Sequence, residues 1–269
     1  MDKKLCDSAV KNHHRANSVS PRLRGEKNRD VTFAYMNTFV LLLAALPGVL
    51  ISYAIFRADK FEREPAGPLV LCFVLGAAVT VPVVAVERSV LSAIGTPPYH
   101  LAYTLLLSFG LLAVAEEGAK FAILRVAAFP RSFFNEPFDG IVYAVLIAMG
   151  FATLENIAYA GRFGLQTAVV RALTAVPAHL AFAIAQGYYA GRAKFDPANQ
   201  SRLLARGLVL SVLLHGAYDV LILQNWSRWL VALGTAALYM TLYFFSRLAQ
   251  EQRDHSPFRE PENDSAPDA

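Results

Sequence analysis

Glu116 and Glu117 adjoin one another just before Lys120, inside an apolar run from Tyr99 to about Leu124. A charge at bilayer depth costs about 2.5 to 3.5 kcal/mol on insertion scales, so this trio requires partners or a purpose. Other apolar runs carry Glu155, His179 and His215, with Asp219 one helical turn beyond His215. At a rise of about 1.5 Å per residue, Glu116, Glu155, His179 and His215 fall within roughly 10 Å of the midpoints of their runs, so antiparallel neighbours can bring them to one site. Glu116 with Lys120, Phe151 with Glu155, and His215 with Asp219 are i,i+4 pairs, each sharing one helix face. The chemistry that suits such a set is hydrolysis, since a carboxylate in a poorly solvated pocket is a competent general base for water. Glu155, His179 and His215 also offer a carboxylate and two imidazoles, the ligand types of a catalytic zinc site with one open position. No HExxH spacing is present, so the zinc reading rests on ligand type. Asp219 is placed to accept the His215 N–H and fix its tautomer.

Plainer roles compete at each position. Glu117 and Lys120, at i,i+3, can neutralise one another. A lone transmembrane histidine is most simply an interhelical hydrogen-bond partner, and Asn156 and Gln186 serve as glue of the same kind. Asp139 is placed to cap a helix start, and Arg171 reads as an interface or substrate-positioning charge. Four ionisable groups at similar depth on four runs are nevertheless costly to keep as packing alone.

These residues have to be positioned by membrane spans. Of 269 residues, 55% are hydrophobic and 17% charged, and the apolar ones come in long blocks. The sequence predicts an all-α polytopic bundle of about seven transmembrane helices, with the site between central helices. Expected spans are Val31–Phe56, Gly67–Val86, Tyr99–Leu124, a fourth opening at Pro137–Gly140 and reaching Ala160, Thr167–Ala190, Gly207–Leu223, and a seventh to about Phe245. Pro82 should kink the second span unless neighbours satisfy the freed carbonyl, and the Ser/Gly/Pro-punctuated stretch Glu87–Pro98 reads as a loop. Neither internal repeats nor broken helices stand out. Residues 31–245 form the membrane domain between polar tails, 1–30 and 246–269, expected to be disordered. The two cysteines, Cys6 and Cys72, make neither a disulfide framework nor a thiolate metal site.

The net charge of +4 arises from basic residues scattered among short loops and tails, as in orientation signals, which excludes a nucleic-acid-binding surface. Lys and Arg concentrate after spans one, three and five and in the C-terminal tail, from Arg57, Lys60 and Arg63 to Arg247, Arg253 and Arg259. The opposite loops carry only Arg88, Arg162 and Arg228, so the positive-inside rule puts the C-terminus in the cytoplasm. The basic N-terminal tail contradicts that orientation. A translation start at Met36 would remove the conflict and still leave a first span long enough to cross.

Glu116-Glu117-x-x-Lys120, Phe138-Asp139-Gly140-Ile141-Val142-Tyr143, Gly150-Phe151-Ala152-Thr153-Leu154-Glu155-Asn156, Arg171-Ala172-Leu173 with Pro177-x-His179, and His215-Gly216-x-x-Asp219 occur in order along the chain. In this pattern the sequence resembles the PrsW-type intramembrane proteases, distant relatives of the CAAX-processing and bacteriocin-immunity membrane proteases, from about Met36 to Phe245. The resemblance implies a peptidase of the bacterial cytoplasmic membrane making the first cut in a single-pass, anti-sigma-factor-like protein. It implies Glu116 and Glu117 as the catalytic acid pair, completed by Glu155, His179 and His215, and leaves open whether zinc takes part or the carboxylates act alone as in a glutamate-type protease. In either case the oxyanion would be met by the metal or by His179 and His215 as hydrogen-bond donors. The other classes that fit an intramembrane Glu/His/Asp set are a proton-coupled transporter or channel and a non-catalytic membrane scaffold.

Overall fold

In the computed structural model, residues 38–94, 100–224 and 228–258 are described; the N-terminal tail, the Met36 start and the last residues of the C-terminal tail lie outside them. The helices are α1 (Thr38–Ala58), α2 (Ala66–Ile94), α3 (Leu101–Ala128), α4 (Asp139–Phe163), α5 (Leu165–Leu173), α6 (Ala175–Phe195), α7 (Gln200–Leu223) and α8 (Arg228–Asp254). No strand occurs among the described residues, and seven helical segments are long and apolar enough to cross a membrane, with α5 and α6 together making one of them. This is the all-α multi-pass bundle expected.

At the centre is α4, buried at every residue from Asp139 to Thr153 and packed between α2 and α6. Lipid tails are as apolar as leucine, so helices here associate by close packing rather than by a hydrophobic driving force, and small residues set how close they come. Gly76 of α2 lies against the backbone of Ile147, and Gly150 of α4 against the backbone of Phe73. On the other flank α6 packs on α7 and α8, while α3 leans on α2 and α7.

Four boundaries differ from the expectation. The second span continues through Pro82 to Ile94, which makes Glu87 a helical residue. Away from water a freed backbone group has no better partner outside the helix, so a proline need not end one. The fifth span is broken: α5 ends at Leu173 and α6 restarts at Ala175. Pro177 accounts for the break, because its ring would clash with the carbonyl four residues earlier, whereas in the first turn of α6 its missing N–H is harmless. Asp139 is not a cap of its own helix; its Oδ2 accepts the backbone N–H groups of Asn135 (2.7 Å) and Glu136 (2.8 Å) in the preceding turn. Finally, α8 runs beyond Phe245 to Asp254, so the expected C-terminal tail begins as folded helix, with Phe245, Ala249 and Gln252 buried and Gln252 Nε2 donating to Tyr188 O (3.3 Å).

The end of the bundle where these segments meet is rich in buried acids. Tyr143 donates to Glu64, Ser256 donates to Glu136, the Glu64 amide donates to Asp59 Oδ2 (3.1 Å), and Asn135 Nδ2 donates to Glu62 Oε1 (2.9 Å). Burial pushes Asp59 up to about 6 and Glu136 up to about 7, and raises Glu64 as well. A carboxyl whose folded-state pKa is raised contributes stability below its ordinary pKa and loses it as pH rises through the raised one. The melting temperature in detergent is therefore expected to fall by several degrees between pH 5.5 and pH 8, and Glu136→Gln should flatten that dependence. A melting temperature that rises over this interval would contradict the assignment.

Candidate active site

The acid pair sits on the stretch of α3 between two π-helical turns, Ser108–Leu112 and Leu124–Ala128. Such turns break the 3.6-residue phase and recur beside functional sites. Here Glu116, Glu117 and Lys120 all face the interior, with Glu117 1% exposed and Glu116 8%. His179 comes from the second turn of α6 and His215 from α7, both buried. Phe182 stacks on the His215 ring at 4.9 Å, Phe151 lies 5.8 Å from the His179 ring, and the two imidazoles stand edge to face at 5.4 Å. Lys120 Nζ lies over the Phe151 face at 4.6 Å. Aromatic walls thus fix the rings and shut out competing partners.

Hydrogen bonds assign unequal roles to the two glutamates. Lys120 Nζ donates to Glu117 Oε1 (2.5 Å), and His215 Nδ1 donates to the same oxygen (2.8 Å). Glu116 Oε2 is buried with no hydrogen-bond partner; its nearest polar neighbours are Lys120 Nζ at 3.6 Å and His215 Nε2 at 3.9 Å. Adjacent helical residues point about 100° apart, which is why one carboxylate can be tied down while the other is left reactive. The partners also select the tautomers. His179 Nε2 donates to Glu155 Oε2 (3.1 Å), leaving Nδ1 to accept from Lys120 (3.3 Å), and His215 donates from Nδ1 to Glu117 while its Nε2 faces the carboxylate oxygens of Asp219 and Glu116. Glu117 rather than Asp219 orients His215, since Asp219 Oδ1 is 3.6 Å from Nε2. The Nε2 of His179 and the Nδ1 of His215, two of the nitrogens expected as oxyanion donors, are engaged by carboxylates.

Around this core lie the remaining candidates. Glu155 of α4 is held by Arg171 Nη2 of α5 (2.6 Å), and the Arg171 guanidinium stacks on Tyr159 at 4.0 Å. Gly164, at φ +85°, makes the turn from α4 into α5 that returns Arg171 to Glu155. Gln186 Nε2 donates to Ser211 Oγ (3.1 Å) and joins α6 to α7, while Asn156 Nδ2 donates to Ala44 O (2.8 Å) and joins α4 to α1. Asp139 belongs to the acid-rich end of the bundle and not to this site.

Donor atoms of Glu116, Glu117, His179 and His215 lie within 4.8 Å of one another, a group able to hold a metal ion. It keeps His179 and His215 of the expected ligand set but has Glu116 and Glu117 in place of Glu155, which lies on the far nitrogen of His179, bound to Arg171. Sequence reasoning missed Glu87. Its Oε1 is buried without a hydrogen-bond partner, and the charged groups within reach of it are those of Glu155, His215, Asp219 and Lys120. The signal was the inward face of α2, where Gly76, Thr80 and Val83 are buried at helical spacing and Glu87 continues the series. The site lies in the half of the bundle nearer the ends at Phe163, Leu223 and Ile94, with Glu155, His215 and Glu87 about 10 to 12 Å of helix from them.

Residues 64–249 match the family described as PrsW family intramembrane metalloprotease. The protease PrsW of Clostridioides difficile strain 630 is 33% identical over 205 residues, covering 74% of this chain and 84% of the relative. That of Bacillus subtilis strain 168 is 34% identical over 194 residues, 70% of this chain and 86% of the relative, and that of Geobacillus kaustophilus 34% over 192, 71% and 83%. No solved structure matches.

Proposed function

The chain belongs to the PrsW family of intramembrane proteases, and from that premise we propose that it hydrolyses a peptide bond in a single-pass, anti-sigma-factor-like membrane protein with Glu116 as general base. The observation that carries this reading is the unpartnered, buried Glu116 Oε2, 3.9 Å from His215 Nε2 in a cluster whose other atoms are tied down. Glu116 takes the proton of the attacking water, and the nearby His215 imidazole helps to orient that water. Glu117 holds His215 and Lys120 in place. The third N–H of Lys120, beyond those engaged by Glu117 and His179, is the available donor for the developing oxyanion. Glu155 fixes the His179 tautomer, and Arg171 anchors Glu155.

The residues fit a metal ion by donor type. Two imidazoles and two carboxylates converge, Glu116 Oε2 is an orphan acceptor, and among the described residues the carboxyls of Glu87, Glu116, Glu117, Glu155 and Asp219 face Lys120 and Arg171 as permanent cations. A zinc ion held by His179, His215 and Glu117 would polarise the scissile carbonyl and acidify its water, leaving Glu116 free as the base. Lys120 would have to withdraw from Glu117 and His179 to admit it. Elemental analysis of pure active protein is expected to find close to one zinc per chain, with activity lost on chelation. Full activity at well below one equivalent would leave the catalysis to Glu116, His215 and Lys120 alone.

With the basic loops in the cytoplasm, the C-terminus is cytoplasmic and the site opens toward the external half of the membrane. Comparative proteomics of membrane fractions tests the substrate class. Fragments of single-pass proteins that appear with wild type and vanish with Glu116→Gln are expected, and differences confined to multi-pass or soluble proteins would overturn the proposal.

A further inference from the structure

At the opposite end of the bundle from the active site, the outer face of α7 and Tyr189 of α6 border an open groove of about 520 Å³, lined also by Arg202, Arg206, Val209, Leu210 and Leu213. Arg202, Arg206, Val209 and Leu213 are exposed and recur at i, i+4, i+7 and i+11, so one outward stripe of α7 makes one wall. The groove is graded along the helix axis. Arg202 and Arg206 stand about 3 to 9 Å from the start of α7, at headgroup depth, whereas Val209 and Leu213 lie about 13 to 20 Å in, at acyl-chain depth. Neither guanidinium has an ion-pair partner among the described residues, and no acidic side chain lines the groove. A neighbouring acid, Asp196, is occupied in capping Asn199.

We propose that this groove binds an anionic phospholipid, with its phosphate between Arg202 and Arg206 and an acyl chain along Val209 and Leu213. A guanidinium fork matches phosphate oxygens bidentately, and two on successive turns of one face can share a single phosphate. A zwitterionic lipid brings its own cation against this pair and leaves it uncompensated. A free phosphate fills only the headgroup end and leaves the apolar wall without an occupant. The assignment is independent of the catalytic reading, since none of the groove residues belongs to the active site.

Purified full-length protein in detergent, titrated with phosphatidylglycerol and with phosphatidylcholine and read by native mass spectrometry, tests the proposal. A basic residue near the membrane surface favours anionic lipid about fivefold, so the pair should give a preference of roughly thirtyfold. R202Q/R206Q should abolish the preference with little change in melting temperature. Val209→Trp, which blocks the apolar wall and leaves the charge intact, should weaken binding of phosphatidylglycerol. Millimolar inorganic phosphate should not displace the lipid. Equal binding of the two lipids by wild type, a preference that survives R202Q/R206Q, or displacement by phosphate would each overturn it.

Discussion

Glu116→Gln is expected to reduce peptide-bond hydrolysis by a factor of about 10² to 10⁴, the range for loss of a general base, while the melting temperature stays within a few degrees of wild type. The substitution keeps size and shape and removes only the charge and basicity. Glu116 Oε2 makes no hydrogen bond, and its neighbours at 3.6 and 3.9 Å are already satisfied by Glu117, so little structure depends on it. Glu117→Gln is the contrasting variant. It takes away the carboxylate that Lys120 and His215 share, and leaving a buried charge uncompensated costs about 3 to 5 kcal/mol, or roughly 10 °C in a domain of this size. Glu117→Gln should thus lose activity and stability together. If instead Glu116→Gln melts early and Glu117→Gln is merely inactive, the roles are reversed.

The second large effect concerns the frame rather than the chemistry. A Cβ at Gly150 would overlap the Phe73 carbonyl and crowd the Ala77 amide, and one at Gly76 would overlap the carbonyl of Ile147. Every obstructing atom is backbone, so no side-chain rotation relieves the clash and α2 must move away from α4. Overpacking costs about 1 to 3 kcal/mol even where side chains can adjust, so Gly150→Ala is expected to lower the melting temperature by roughly 10 °C or to abolish folded yield, and Gly150→Leu to abolish it outright. Gly118→Ala provides the control. An added methyl there meets nothing within 4 Å, and the gain in helix propensity is about 1 kcal/mol, so stability should hold or rise. Thermal unfolding in detergent of the three variants decides the matter, and a Gly150→Ala protein as stable as wild type would mean that α2 and α4 are not in contact at these glycines.

Much of this organisation is legible in the chain before any coordinates. Apolar blocks of spanning length declare the seven segments, and the cost of ionisable groups within them singles out Glu116, Glu117, Lys120, Glu155, His179 and His215, all of which the bundle brings together. Less legible is anything that depends on rotational phase or on a distant partner. Hydropathy stops at the first charge, so Glu87 falls into a loop although the helix carries it on the inward face of α2. It averages over Thr174, so the break between α5 and α6 disappears into one long span. The π-turns that flank the acid pair have no compositional mark. Asp139 has the right residue type and position for a cap, yet the N–H groups that donate to it lie on the preceding turn, a choice that only the path of that turn decides.

The central claim is that this buried cluster hydrolyses a peptide bond with Glu116 as its base. The most direct measurement is mass spectrometry of the fragments released when the purified protein and a single-pass substrate found by the comparative proteomics are reconstituted in liposomes. Wild type should yield a fragment with a new terminus in the half of the substrate's membrane segment that faces Glu155 and His215, and Glu116→Gln should yield none. The same fragment from Glu116→Gln at an undiminished rate would contradict the account.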